Sequence, residues 1–149
     1  MDDKLLFFSA FLRYPKEIGS IMPSQKFLTD EILKNIDFKS LAKPANRLVV
    51  ISIGKAGKTM AQTVLPLIGR KPDSVLIADK GHPLPNTAGV AIGKKIIAEA
   101  RRLGEKDVVI VLSSGGGSAM LVAPSPGITL EDKIKTTRAL LKCGANIKE

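Results

Sequence analysis

Three short apolar runs divide the chain into alternating segments. Arg47–Ile53, Ser74–Ala78 and Val108–Leu112 each have the length and composition of a β-strand. Val108–Leu112 is five consecutive apolar residues, a pattern that predicts a strand buried on both faces, as in a parallel sheet. Between and after these strands, apolar residues at helical spacing predict helices over Lys55–Leu65, Ala88–Leu103 and Leu130–Lys142.

Capping signals mark the ends of two of these helices. Thr87 is predicted to begin the second helix and Gly104 to end it. Thr129 and Asp132 have the spacing of a capping box at the start of the third helix, and Gly144 is predicted to end that helix.

Two further helices are predicted ahead of the first strand, one from about Asp2 to Leu12 and one from Ser24 to about Ile36. The segment Lys39–Asn46 contains Pro44 and is predicted to be a loop. Alternating strands and helices indicate the α/β class. We therefore expect a Rossmann-like layered parallel sheet flanked by helices, with two N-terminal helices, in a single α/β domain over residues 1–149.

The composition of the chain limits the kinds of molecule that it is expected to bind. The chain has 149 residues, 44% of them hydrophobic and 25% charged, which suits one globular domain. It contains no Trp and one Tyr, too few aromatic side chains for a platform that stacks single-stranded nucleic acid. The net charge of +9 fits either a nucleic-acid surface or an anionic small molecule. Because the basic residues are scattered, we predict a small-molecule ligand and no nucleic-acid partner.

The single cysteine, Cys143, excludes an intramolecular disulfide and a zinc site built from thiolates. Its place at the end of an apolar helix predicts a small buried hydrophobe. The apolar stretch near Phe7 is too short for a membrane span and is followed by Arg13, so no membrane partner is expected. These features lead us to expect a cytoplasmic protein.

The strongest candidate for chemistry is the glycine-rich segment that follows the third strand. Ser113, Ser114, Gly115–Gly117 and Ser118 separate that strand from the predicted start of a helix. A strand-to-helix junction leaves backbone N–H groups unpaired, and glycines let the backbone approach an anion closely. We predict a phosphate site here; a tight turn without a ligand is the alternative.

The loop after the first strand offers two lysines with different implications. In the parallel sheet this loop, the segment Asp79–Asn86 and the glycine-rich segment should all lie at the carboxyl edge, where ligands bind. Gly57-Lys58-Thr59 matches the end of a P-loop, but Ser52 occupies the position of its first glycine. The other interpretation gives the key charge to Lys55, directly after the strand; a solvated surface lysine is the alternative for that residue.

The loop Gly81–Asn86 holds the only histidine, His82, followed by Pro83 and Pro85. The prolines fix φ and should make the loop stiff. We predict that His82 forms a wall of the site or orients a ligand. No carboxylate partner for acid–base catalysis can be named from the sequence, and no metal site is predicted.

Taken in order, these loops resemble the glycerate 2-kinase family of the MOFRL type. The resemblance is carried by Ile53-Gly-Lys-Ala56, by Gly81-His-Pro-Leu-Pro85 and by Leu112-Ser-Ser-Gly-Gly-Gly-Ser-Ala119. The segments Gly127–Leu130 and Leu140–Ile147 are similar too. The likeness covers nearly the whole chain, and the motifs are fairly specific because they occur together and in order.

The resemblance implies phosphoryl transfer from ATP, with Mg²⁺, to the 2-hydroxyl of D-glycerate. It makes Lys55 a catalytic charge clamp and assigns the phosphate cradle to Ser114, Gly115, Gly116, Gly117 and Ser118. Gly54 and His82 would belong to the wall of the substrate site. Chemistry of this kind depends on positioning and charge stabilisation more than on covalent steps.

Family members are longer and have a second domain, with the active site between the two. We therefore expect this chain to be the N-terminal part of a larger kinase-like protein, incomplete or inactive by itself. A face meant for the missing C-terminal domain should expose apolar residues and favour self-association. The alternatives are a P-loop-like NTPase and a non-catalytic module that binds a phosphorylated ligand or a partner.

Overall fold

A computed structural model describes residues 36–43 and 45–145. The two predicted N-terminal helices fall, apart from Ile36, outside the described residues. No described helix is long and apolar enough to cross a bilayer. The elements, in chain order, are α1 (Phe38–Ala42), β1 (Leu48–Ile53), α2 (Gly57–Val64) with a 3₁₀ turn (Leu65–Leu67), β2 (Ser74–Ala78), α3 (Thr87–Ala100), β3 (Val108–Ser113), α4 (Gly117–Met120) and α5 (Leu130–Lys142).

The three strands form one parallel sheet in the order β2-β1-β3. This confirms the predicted layered α/β fold. The register aligns the carboxyl ends of the strands, because Ile53 of β1 lies opposite Ala78 of β2 and opposite Ser113 of β3. The loops after all three strands therefore leave the sheet at one edge and at one level.

Burial follows the position of each strand in the sheet. Leu48, Val49 and Val50 of β1 are fully buried, so the central strand is covered on both faces. In β3 only Ile110 is buried, while Val109 and Val111 are 38% and 54% exposed. The prediction that Val108–Leu112 is buried on both faces is wrong, because β3 is an edge strand of the described sheet with one face uncovered.

Several predicted helix boundaries also differ from the structure. The predicted loop Lys39–Asn46 is wrong in its first half, which belongs to α1; the Asp37 carboxylate accepts a hydrogen bond from the Ser40 N–H at 3.1 Å and caps this helix. Helix α2 begins at Gly57, two residues later than expected. Asn86, and not Thr87, caps α3, which ends before Gly104.

Helix α5 begins with the predicted capping box, in which Thr129 and Asp132 hydrogen-bond reciprocally. Gly144 follows the helix with a φ of +73°, as expected for the residue that ends it. Cys143, however, is exposed, contrary to the prediction of a buried side chain. The reason is that α5 has no fully buried residue, so no neighbouring element covers a side chain at its end.

Asp73 ties the start of β2 to the start of β1. Its carboxylate accepts a hydrogen bond from the Leu48 N–H at 2.8 Å and one from Arg70 at 3.2 Å, and its own N–H donates to the Leu48 carbonyl at 2.8 Å. The bond from the Leu48 amide, assisted by the positive charge of Arg70, holds the pKa of Asp73 below its ordinary value. The ionised carboxylate therefore stabilises the fold.

We expect Asp73→Asn to lower the free energy of unfolding at neutral pH. The folded-state pKa lies below the unfolded value of about 3.9, so this stabilisation is complete above that value and disappears as pH falls through the folded-state pKa. Denaturant unfolding from pH 7 to pH 2 should show the wild type and the variant converging at the acid end. Glu105→Gln is the control, since Glu105 accepts no hydrogen bond from any described residue; a gap that stays constant with pH would contradict the expectation.

Candidate functional site

Backbone hydrogen bonds hold the loops after β1 and β3 side by side. The Gly54 N–H donates to the Ala78 carbonyl at 2.9 Å, and the Ser114 N–H donates to the Ile53 carbonyl at 2.8 Å. The Lys55 N–H then donates to the Gly115 carbonyl at 2.9 Å. The backbone of Lys55 is thus fixed next to the glycine-rich segment, as the topology of a parallel sheet predicts.

Ser114 bridges the same two loops with its side chain. Its hydroxyl accepts a hydrogen bond from the Ala56 N–H at 3.0 Å and donates to the Ile53 carbonyl at 3.1 Å. Gly54, with a φ of +103°, passes so close that a Cβ there would lie 2.4 Å from the Ser114 carbonyl oxygen. Ser114, which the resemblance assigns to the phosphate cradle, therefore uses its hydroxyl to join the two loops.

Four consecutive amides of the glycine-rich segment are available to a ligand. The N–H groups of Gly115, Gly116, Gly117 and Ser118 donate to no acceptor among the described residues. The helix that follows, α4, is a single turn of four residues, about 6 Å long, so its dipole is small. Any attraction for an anion therefore rests on the amides themselves and on neighbouring cations, rather than on a helix dipole.

Lys55 and His82 both lie against Gly116. A Cβ placed on Gly116 would be 3.3 Å from Cγ of Lys55 and 2.8 Å from Cδ2 of His82. The loop that carries His82 is anchored by Asn86, whose side chain accepts a hydrogen bond from the Gly89 N–H at 2.9 Å and lies close to Gly81. All three candidate loops thus meet at Gly116.

The loop after β1 does not have the form of a P-loop. A P-loop spanning residues 52–59 would need Ser52 and Ile53 in the phosphate-wrapping turn. Both residues instead lie in β1, paired with β2 and β3, and only Gly54–Ala56 separate the strand from α2. The buried Ser52 hydroxyl donates to the Gly57 carbonyl at 2.7 Å, which fixes the short turn.

A cavity of about 550 Å³ opens beside the glycine-rich segment. On one side it is lined by His82, Gly116 and Ser118, and on the other by α5. The α5 residues concerned are Lys133, Thr137, Leu140 and Leu141. This wall was not predicted from the sequence; the only signal for it was the spacing of these four positions, which places them on one stripe of a helix.

In the part of the chain that the structure describes, no group of three or more His, Cys, Asp or Glu side chains could hold a metal ion. The cations near the glycine-rich segment, Lys55 and Lys133, form no ion pair with another described residue. The site therefore offers amides and ammonium groups, a set that suits an anion.

Comparison with known proteins places this geometry in a family. Residues 16–149 match the family described as a domain of unknown function, DUF4147. Over 118 residues the chain is 39% identical to a putative hydroxypyruvate reductase of Agrobacterium vitis, covering 69% of this chain and 31% of that protein. Over 120 residues it is 32% identical to the D-glycerate 2-kinase of Thermotoga maritima, covering 70% of this chain and 29% of the relative.

The fold has a solved counterpart. The crystal structure of a glycerate kinase from Thermotoga maritima superposes with a TM-score of 0.56 at 28% identity, covering 85% of this chain and 37% of that one. The predicted resemblance to glycerate 2-kinases is confirmed by these matches. The chain spans less than a third of the length of the two relatives named above.

Proposed function

This chain belongs to the DUF4147 family, and we propose that it carries the phosphate-binding half of a glycerate 2-kinase active site. In this proposal the amides of Gly115–Ser118 and the Lys55 ammonium bind phosphate groups of ATP. The terminal phosphoryl group of ATP is transferred to the 2-hydroxyl of D-glycerate, which loses its proton, and ADP leaves. Gly54 and His82 belong to the wall of the substrate site.

One observation carries the proposal: four amides that donate to no described acceptor lie next to a lysine whose own backbone N–H is bonded to the same segment. Phosphoryl transfer requires positioned positive charge and hydrogen-bond donors more than covalent chemistry. Backbone amides and an ammonium group supply both. The net charge of +9 adds a favourable field for a polyanion.

Two kinds of relative support a three-carbon acid as the substrate. One is named a D-glycerate 2-kinase and another a putative hydroxypyruvate reductase, and glycerate and hydroxypyruvate differ only in the oxidation of one carbon. A reductase would bind a dinucleotide. The β1 loop here, Gly54-Lys-Ala-Gly57, lacks the G-x-G-x-x-G pattern of dinucleotide sites, which favours the kinase.

Mg²⁺ has no protein cage within the described residues. Magnesium commonly binds through substrate phosphates and one or two carboxylates, keeping several waters. We propose that it arrives with the nucleotide, and we assign no residue of this chain to it.

The proposal gives the chain half of an active site. A second domain would supply the rest, and the chain alone would bind ligand without efficient turnover. The exposed β3 residues Val109 and Val111 are available to such a domain or to a second copy. We propose a cytoplasmic location, which agrees with the unpaired, exposed thiol of Cys143.

We expect Lys55→Ala to weaken binding of ATP and of tripolyphosphate about tenfold, the loss expected for one charge-assisted contact. Calorimetric titration of the full chain measures it. Lys58→Ala is the matched control: it removes the same charge three residues away, in the first turn of α2, and should leave affinity near the wild-type value.

The pair of variants separates the competing functions. A loss confined to Lys58→Ala would favour the P-loop interpretation. No binding of either probe by the wild type, or equal affinity for all three proteins, would overturn the proposal.

A further inference from the structure

Helix α5 faces the glycine-rich segment across the cavity with a stripe of graded polarity. Lys133 lies in its second turn and Thr137 one turn later, followed by Leu140 and Leu141 near the end. Leu141 lies eight positions after Lys133, about 12 Å along a helix axis. The stripe thus begins with an ammonium group and ends with an apolar surface.

The cavity is large for the acid substrate alone. Its volume of about 550 Å³ lies in the range of roughly 300–1,000 Å³ that holds molecules of drug size. A three-carbon acid would leave most of this space empty. A nucleoside triphosphate fits better, because it combines a polyanionic end with a flat, largely apolar base at the other.

The exposed leucines of α5 also need an explanation. Leu140 and Leu141 are 45% and 54% exposed although both line the cavity, and α5 has no fully buried residue. Pro83, Pro85 and Ala119 add apolar surface to the same cavity. A base inserted there would cover side chains that the described fold leaves in contact with water.

Resting on the proposed function, we infer that α5 is the second wall of the nucleotide site: Lys133 binds phosphate oxygens, and Leu140 and Leu141 contact the base. Lys133 is half-buried, lines the cavity and has no carboxylate partner among the described residues. Lys135, two residues later in the helix, is exposed, and its Nζ lies 3.9 Å from Oε1 of Glu131. The two lysines therefore differ in position while sharing a helix and a charge.

The experiment titrates the full chain with two probes, ATP and tripolyphosphate. Lys133→Ala should weaken binding of both about fivefold, the upper end for a partly exposed ion pair. Lys135→Ala should change neither. Leu141→Ser should weaken ATP only, since tripolyphosphate has no base; Ile97→Ser, an exposed apolar position on α3 outside the cavity, controls for general effects.

Failure of this inference is distinct from failure of the proposed function. If Lys55→Ala weakens binding while Lys133→Ala and Lys135→Ala both match the wild type, α5 is not the second wall, and the phosphate site stands. If Leu141→Ser weakens both probes equally, the base does not lie on α5. If the wild type binds neither probe, both proposals fall together.

Discussion

Gly54→Ala should destabilise the protein by about 3 kcal/mol, the sum of a backbone cost for a side chain at positive φ and the cost of overpacking. The φ of Gly54 is +103°, and an added Cβ would lie 2.4 Å from both the carbonyl oxygen and the hydroxyl of Ser114. The carbonyl is backbone and cannot turn aside as a flexible side chain would. The loops after β1 and β3 must therefore separate.

The measurement is a thermal or denaturant unfolding curve. A loss of about 3 kcal/mol is a large part of the roughly 5–15 kcal/mol that holds a domain together, and it should lower Tm by about 10 °C. Gly104→Ala is the control, because Gly104 has no positive φ and a Cβ there meets nothing within 4 Å. A Gly54→Ala protein as stable as Gly104→Ala would mean that the two loops are not in contact.

The same contact explains which parts of the site could be predicted from the sequence. The strand-loop-helix order is a local property, so the positions of Lys55 and the glycine-rich segment at one sheet edge followed from topology. The resemblance assigns Ser114 to the phosphate cradle, but it does not show what the Ser114 hydroxyl bonds to. Its bonds run to Ala56 and Ile53, 58 and 61 positions away in the chain, and no local pattern reveals such partners.

The exposure of β3 could not be predicted from its apolar sequence for a related reason. An apolar run indicates that a strand can be buried, but the position of that strand in the sheet determines whether it is buried. β1 and β3 have equally apolar sequences, yet only β1 has a neighbour on both sides. The wall formed by α5 likewise depends on tertiary packing, because helical spacing places Lys133 and Leu141 on one stripe but does not determine which part of the protein that stripe faces.

The errors at helix ends have a local cause. Pro44 suggested a loop, but α1 ends at Ala42, before it, and Asp37 supplies a cap that was overlooked. At α3 both Asn86 and Thr87 are good caps, and the choice falls on Asn86, whose side chain reaches the Gly89 N–H. That choice affects the site, since the capping side chain also lies against Gly81, next to His82.

The consecutive glycines Gly115 and Gly116 differ in backbone conformation and in the space around them. Gly116 has a φ of +87°, and a Cβ there would lie 2.8 Å from His82 Cδ2 and 3.3 Å from Lys55 Cγ. Gly115 has no positive φ, and a Cβ there meets nothing within 4 Å. Of these two glycines, only Gly116 is constrained both by its backbone conformation and by the atoms around it.

Gly116→Ala should therefore displace His82 and Lys55 together and tilt the amides of the segment. We expect affinity for tripolyphosphate to fall about 30-fold, roughly 2 kcal/mol, since several contacts are disturbed at once. The free energy of unfolding should also fall by about 1–2 kcal/mol, because a side chain at positive φ strains the folded state. Gly115→Ala should leave stability and affinity close to wild type.

Calorimetry and denaturant unfolding of the two variants, side by side, decide the matter. Loss of stability in Gly116→Ala with unchanged affinity would mean that the neighbours of Gly116 do not bind the anion. Equal loss of affinity in both variants would mean that the ligand itself needs the space at Gly115, so that the phosphate lies over the first glycine. The expected pattern, loss at Gly116 alone, ties anion binding to the point where the three loops meet.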